Sequence, residues 1–358
     1  MRITRRKFSL ALAASAVGAL SACRLSSDKS EFQEAAASEE YLAQDLEIQS
    51  LLEQHFVTPL RSMVEKRHLP SDTDSAAVVL ENSTGNVLAY VGTVQDQSDY
   101  DNARRLVRSC GSIAKPLFYG AALESRVVSP DENVVDEPTC FRCPSCKGGV
   151  YCPDNYGGVY ANGPLPLRDA LALSRNIPAI KVYQRLSRKQ FDDAIEKLGL
   201  PKPSNYMTAP LGWEISPLRV AAAYTVFANG GYAIEPRFIT HTVANGQKHE
   251  VPVRRRPQVF SQAVCDWCIS ALRLCLTSGT GRAASTLADC LAGKTGSSDS
   301  AWACLFGSQV GAVCWVGRRD SNTDTKTTGG RLAMPLLAGF FADLRKARPQ
   351  LTPRWRNS

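Results

Sequence analysis

Residues 108–125 read RSCGSIAKPLFYGAALES. A glycine precedes an apolar run, expected as a helix over residues 112–126, whose first turn carries Ser112 and Lys115. Residues three apart share a helix face. One reading is a helix-start serine and a solubilising surface lysine. The other is a serine nucleophile beside a lysine base. The spacing alone does not separate them, because Ser26-Ser-Asp-Lys29 repeats it in a polar segment with no apolar helix around it.

The surrounding chain supplies the context. Residues 76–92 (AAVVLENSTGNVLAYVG) are two β-branched runs about a turn at Asn82-Ser-Thr-Gly85, the pattern of a β-hairpin. Residues 41–67 carry apolar positions at helical spacing and predict one or two amphipathic helices. Residues 136–163, rich in Cys, Gly, Pro and Asn, read as loop, and so does the segment about Arg254-Arg-Arg256. Residues 165–186 predict two helical pieces broken at Pro178, with Ser174-Arg-Asn176 at the break. Further helices are expected over 189–199, 216–228, 262–276 and 279–288. Residues 291–317 read as strand, turn, strand, and 332–346 as a closing amphipathic helix. Strands at both ends with helices between predict an α+β fold, an antiparallel sheet built from both chain ends and covered by helices.

Lys294-Thr295-Gly296 lies in an apolar strand, where a lysine is ordinarily a half-exposed sheet residue. Its company changes the weighting. Ser112-Ile-Ala-Lys115, Ser174-Arg-Asn176 and Lys294-Thr-Gly296 occur in that order, and the last two triplets occur once each. Each is weak alone; together, on helix, loop and strand, they form the motif set of penicillin-binding proteins and β-lactamases. Wider segments extend the likeness: AAVVLENSTGNVLAYVG, GSIAKPLFYGAALES, PDNYGGVYANGPLPLRDALALSRNIPAIKV, SPLRVAAAYTVFANGGYAIEPRFI, SGTGRAA and AGKTGSSDSAW. Over roughly residues 74–345 the chain resembles the transpeptidase domain of bifunctional (class A) penicillin-binding proteins, in the branch with short motif spacings. Their glycosyltransferase domain is expected to be missing. The chain departs from the family at Cys110, where proline is usual, at Arg175, where an apolar residue is usual, and at Ser297, where threonine is usual.

The resemblance implies a β-lactamase/transpeptidase-like fold with a helical subdomain, and a role for each motif residue. Ser112 would attack the carbonyl of a terminal D-Ala-D-Ala bond and form an acyl-enzyme. Lys115, neutral through burial and a nearby cation such as Lys294, would accept the serine proton. Ser174 would relay it to the departing nitrogen and Asn176 would hold the substrate amide. Thr295 and Ser297 would bind the terminal carboxylate beside Lys294, and Gly296 would leave room for an extended peptide along the strand. Backbone N–H groups of Ser112 and Ser297 would form the oxyanion hole. An amine from a second stem peptide would resolve the acyl-enzyme, and β-lactams would stall it. No cofactor is implied.

Composition bounds the rest. Hydrophobic residues at 44% and charged residues at 21% describe a globular chain. The net charge is +8, but Arg2, Arg5, Arg6 and Lys7 precede an apolar stretch with no acid in residues 1–22. Without them the charge is +4, too little to argue for nucleic acid. Residues 1–22 read as an export signal, its apolar stretch Phe8–Ala22 too short to span a bilayer. Thr4-Arg5-Arg6-Lys7-Phe8 resembles a twin-arginine signal, with an ordinary basic head as the alternative. Leu20-Ser-Ala-Cys23 resembles a lipobox, so Cys23 is expected to carry lipid. The expected organisation is signal 1–22, lipidated tether 23–40, helical lead-in 41–70, transpeptidase domain 71–347 and polar tail 348–358. The protein is thus expected on the periplasmic side of a bacterial envelope, lipid-anchored, with stem peptides, β-lactams and a separate glycosyltransferase as partners.

Twelve cysteines suit an exported protein. Cys140, Cys143, Cys146 and Cys152 allow a metal site or two disulfides pinning a loop, and the oxidising compartment favours disulfides. Pairing within Cys-x-x-Cys is expected to be strained, so connectivity is not readable. Cys265 and Cys268 read as helix packing or a disulfide. The four histidines lie outside the motifs, and no Gly-x-Ser-x-Gly elbow supports a Ser-His-Asp hydrolase. Two alternatives to the transpeptidase remain: a D,D-carboxypeptidase or β-lactamase on the same fold, and a non-catalytic penicillin-binding scaffold. No class A type Glu-x-x-x-Asn deacylation segment follows the middle motif.

Overall fold

The computed structural model describes residues 2–3, 39–95, 100–106, 108–144, 146–318 and 327–355. The lipobox with Cys23, the arginine pair and Ser26–Lys29 lie outside the described residues.

The expected hairpin is β1 (Thr73–Glu81) and β2 (Val87–Val91). Its turn needs Gly85: φ is +71°, and a Cβ there would come within 2.2 Å of the Glu235 carbonyl oxygen. Residues 291–317 form three strands where two were expected, β3 (Ala292–Ser297), β4 (Ala301–Phe306) and β5 (Val310–Arg318). The second turn, at Gly307-Ser-Gln309, carries no proline and a single glycine, which hid it in the apolar run. All five strands join one antiparallel sheet in the order β3-β4-β5-β1-β2. Val310 to Arg318 pair with Glu81 to Thr73, so the two chain ends meet in the centre of the sheet, as expected.

Side-chain alternation along β1 divides the core. Ala76, Val78 and Leu80 face one cluster; Ala77 and Val79 face the other. The second cluster is covered by α1 (Leu46–Leu52), the π-helical turn Glu53–Val57, α2 (Thr58–Glu65) and the C-terminal α9 (Met334–Ala347), through Leu52, Phe56, Leu60, Leu337, Phe340 and Phe341. The first is covered by α3 (Lys115–Glu124), α7 (Pro217–Ala228) and α8 (Gln262–Thr277), through Phe118, Tyr224, Phe227 and Leu272. Burying both faces removes the polar alternation an open sheet would show. Each fully buried Phe contributes about 2 kcal/mol.

Between α3 and α7 in the chain come α4 (Leu167–Ala172), α5 (Asn176–Tyr183) and α6 (Arg188–Lys197), which add to the first cluster. The break between α4 and α5 falls at Leu173–Arg175, upstream of Pro178, because Ser174 adopts a left-handed backbone with φ +60°. Pro178 is the third residue of α5, where its missing N–H would have no partner within the helix. Residues 136–163, expected as loop, are framed by Asn133–Asp136 pairing with Gly163–Pro166 and contain a small ladder of Phe141–Arg142 on Val150–Tyr151. Arg255–Gln258, also expected as loop, is a strand on Tyr232–Ile234. Of 279–288 only Arg282–Leu287 is helical, as a 3-10 turn. Among the described residues no helix is long and apolar enough to cross a membrane.

Candidate active site

The site forms where the start of α3 meets edge strand β3. Gly111–Ala114 is a 3-10 turn and α3 proper begins at Lys115. That turn is clamped on three sides. Gly111 has φ +57°, and a Cβ there would lie 2.8 Å from the Ser297 carbonyl oxygen. A Cβ on Gly296 would lie 2.5 Å from the Cys110 carbonyl oxygen, and one on Gly212 only 2.4 Å from the Gly111 nitrogen. Tyr224 Oη donates to the Ile113 carbonyl at 2.6 Å. Gly296 therefore lets the serine turn close on the strand; its missing side chain faces that turn. Cys110 also has a local reason: its N–H donates to the Trp213 carbonyl at 3.0 Å, a bond proline could not make. Burial pushes its thiol up to about 12, so it is not a nucleophile at neutral pH.

Ser112 is half-buried at this turn, while Lys115 and Lys294 are fully buried. Lys115 Nζ donates to the Ser174 carbonyl and to Asn176 Oδ1, both at 2.7 Å, and more weakly to the Arg175 carbonyl at 3.3 Å and Ser174 Oγ at 3.4 Å. Lys294 Nζ donates to Ser174 Oγ at 2.8 Å and to the Thr295 carbonyl at 2.9 Å. The Ser174 hydroxyl thus sits between two buried amines. Burial, then the charge of Lys294, holds Lys115 well below the usual lysine range. Burial also lowers Lys294, to about 8, against an opposing contribution from Cys275.

Thr295 is buried with its hydroxyl hydrogen-bonded to that of Thr280, while Ser297 is exposed and its Oγ accepts from Gly329 N at 3.0 Å. Thr280 carries no role in the sequence reading, although its segment SGTGRAA is part of the resemblance. Two further residues carry no role in the sequence reading either. Asp136 is a fully buried carboxylate, and Asn155, 2% exposed, joins it to the middle motif. Both sit in a segment read as loop; Asn155 falls within PDNYGG, part of the resemblance, but neither is given a role there. Asn176 is fully engaged here: Oδ1 accepts from Lys115 and Nδ2 donates to the Asp154 carbonyl at 2.7 Å. The unusual Arg175 binds the same segment, with Nη1 on the Val159 carbonyl at 2.5 Å and Nε 3.5 Å from Asp136 Oδ2.

Cys140 pairs with Cys152 and Cys143 with Cys146. All four thiols are consumed, which overturns them as metal ligands. The pairing within Cys143-x-x-Cys146, expected to be strained, is made across a turn that brings the two Cα atoms to 5.3 Å, an ordinary disulfide span. Cys265 and Cys268 are free and buried in α8, with burial raising both thiols.

Residues 75–303 match the family described as penicillin binding protein transpeptidase domain. Penicillin-binding protein 2D of Bacillus subtilis (strain 168) is 30% identical over 302 residues, covering 81% of this chain and 43% of the relative. Penicillin-binding protein 1A of Aquifex aeolicus (strain VF5) is 30% identical over 285 residues, covering 78% and 39%. The crystal structure of penicillin-binding protein 1A from Haemophilus influenzae superposes with a TM-score of 0.71 at 26% identity, over 80% of this chain and 49% of that one. The chain spans about two fifths of the length of these curated relatives.

Proposed function

The chain belongs to the penicillin-binding protein transpeptidase domain family and has its β-lactamase/transpeptidase fold, and from that premise we propose that it is a serine D,D-transpeptidase acylated at Ser112 by D-Ala-D-Ala stem peptides. The observation that carries this reading is the Ser174 hydroxyl held between Lys115 and Lys294 beside the turn that bears Ser112. Ser112 Oγ attacks the carbonyl carbon of the penultimate D-Ala, and its proton passes to neutral Lys115. Lys115 donates its N–H groups to the Ser174–Asn176 segment, and as the neutral amine it keeps one lone pair for the Ser112 proton. The tetrahedral oxyanion lies against the backbone N–H groups of Ser112 and Ser297. Ser174 passes the proton to the leaving nitrogen as the C–N bond breaks and D-Ala departs. Lys294 and Thr295 hold the terminal carboxylate, with Ser297 at the open end of the strand. An amine of a second stem peptide then attacks the acyl carbon, restores Ser112 and cross-links the wall. A β-lactam stops at the acyl stage.

The same reading places the domain in the bacterial envelope, tethered through lipid on Cys23, with a separate glycosyltransferase supplying the glycan strand. The test is labelling with a fluorescent penicillin. The wild-type protein is expected to take a stable label and Ser112→Ala none. A folded wild type that takes no label sinks the catalytic reading in favour of the scaffold. Label that is lost rapidly with release of hydrolysed drug points to a β-lactamase. With a stem pentapeptide and an acceptor amine, cross-linked product supports the transpeptidase; free D-Ala without it means a carboxypeptidase.

A further inference from the structure

The start of α5 is capped by a residue from elsewhere in the chain. Arg175, at the N-cap position, makes no side-chain cap of its own. Asn155 Oδ1 accepts instead from the N–H groups of Asn176, at 2.7 Å, and Ile177, at 3.2 Å. Pro178, next in line, has no N–H to place. Asn155 therefore satisfies the unpaired donors of that first turn. The direction of its amide is set by Asp136. A carboxylate only accepts, so Asn155 Nδ2 faces Asp136 Oδ1, at 2.6 Å, and turns Oδ1 towards α5. Nδ2 also reaches the Val159 carbonyl at 3.1 Å. Asp136 Oδ2 accepts from Ala161 N at 3.0 Å and lies 3.5 Å from Arg175 Nε. A line of hydrogen bonds, buried at its Asp136 end, thus runs from Asp136 through Asn155 and the head of α5 to Asn176 Oδ1, which lies 2.7 Å from Lys115 Nζ.

We propose that Asp136 and Asn155 are positioning residues for the transfer reaction: they seat the Ser174–Asn176 segment against Lys115 and act only through it. The inference rests on the transpeptidase reading for what that segment does. It concerns which groups hold the segment, a matter that the three motifs leave open.

The test exchanges the two groups. Asn155→Asp sets two carboxylates in contact, so one must take up a proton or the loop must open. Asp136→Asn removes the charge that fixes the amide. The double exchange restores an amide facing a carboxylate, and the carboxylate oxygen now meets the N–H groups of α5, with the helix dipole in its favour. The experiment measures penicillin binding before acylation and the first-order acylation rate separately, on purified protein. Asn155→Asp is expected to slow acylation by about 100-fold, the cost of a small misplacement of reacting groups. The preceding binding constant should stay within about threefold. The double exchange should recover the rate to within about tenfold. A merely structural pair would change melting and leave the acylation step alone. Asn155→Asp acylating at the wild-type rate overturns the proposal. So does a double exchange that melts like the wild type but acylates as slowly as the single variant.

Amide hydrogen exchange supplies an arm that needs neither acylation nor the charged variants. The Asn176 and Ile177 amides should exchange slowly in the wild type and quickly in Asn155→Ser, with the amides of β1 unchanged. Fast exchange of both in the wild type overturns the proposal even if every variant fails to fold. A wild type that takes no penicillin defeats the reading of the site, and whether Asn155 holds α5 is then decided by this exchange alone.

Discussion

Lys115 and Lys294 both lose part of their basicity to burial, but the proposed reaction needs them in opposite states, Lys115 as a base and Lys294 as a cation. Lys115 works as a base only when neutral, so acylation rises as pH climbs through its lowered value. Lys294 works as a cation, and its charge is lost as pH passes about 8. The acylation rate should therefore be bell-shaped, with an alkaline limb near pH 8, in a titration from about pH 5 to 10. A rate that stays level through that limb would contradict the assignment of Lys294. Stability carries the opposite mark of the same burial. A lysine whose folded value is depressed binds fewer protons folded than unfolded, so its cost is present in full below the folded value. For Lys294 that cost is relieved as pH rises from about 8 towards the ordinary 10.5. The site is thus held at some expense to the fold, a common arrangement where buried charge serves chemistry.

At the scale of elements, the serine turn is positioned by close backbone approach. Gly212 has φ +116° and no room for a Cβ against Gly111. Gly212→Ala must push the Ala209–Trp213 segment off the turn, and it is expected to slow penicillin acylation by about 10- to 100-fold. Measurement of the acylation rate alongside the circular dichroism melt separates this from unfolding. The loop of residues 136–163 is the second positioning element. The Cys140–Cys152 disulfide staples it three residues before Asn155, the Cys143–Cys146 disulfide closes a turn inside it, and it supplies Asp154, Asn155 and Val159 to the middle motif. Peptide mapping without reductant should recover Cys140 linked to Cys152 and Cys143 linked to Cys146. Reduction should slow acylation, while the seven free cysteines among the described residues, all buried, stay unreactive until the protein unfolds. Unchanged acylation after complete reduction would mean that the small Phe141–Tyr151 ladder suffices to hold the loop.

Across the whole molecule, the pairing of β5 with β1 makes the sheet depend on both ends of the domain. Neither hairpin can bury its faces alone. α9 closes the second face, with Leu337, Phe340 and Phe341 fully buried. A chain ended after Gly330 removes these side chains, each of which is worth about 2 to 5 kcal/mol when truncated to alanine. Such a chain is expected to show no cooperative thermal unfolding and no penicillin label, although Ser112, Lys115 and Lys294 are all retained. A truncated chain that labels like the full one would show that the site needs less of the sheet than the packing implies. Folding should also be slow, since the central pairing joins segments at opposite ends of the domain.

The sequence by itself determined the features that depend on near neighbours. β-Branched runs about the turn Asn82-Ser-Thr-Gly85 made the β1–β2 hairpin legible. Apolar spacing located α7, α8 and α9, and the order of three short motifs identified the family. What failed were signals that need a distant partner. Pro178, read as the breaker, lies inside α5; the break falls at Ser174-Arg-Asn176, where the sequence also put it, because a left-handed serine ends α4. Arg255–Gln258 became a strand because Tyr232–Ile234 was there to pair with it. Gly296 reads in the sequence as room for a peptide, yet the atoms it makes room for belong to Cys110 and Ile113. The tertiary structure alone decided the state of the two lysines, the cysteine pairing and the Asp136–Asn155 link. The reason is physical: desolvation and orientation are sums over every group packed around a side chain. Here those groups come from segments far apart in the chain and adjacent only once it has folded.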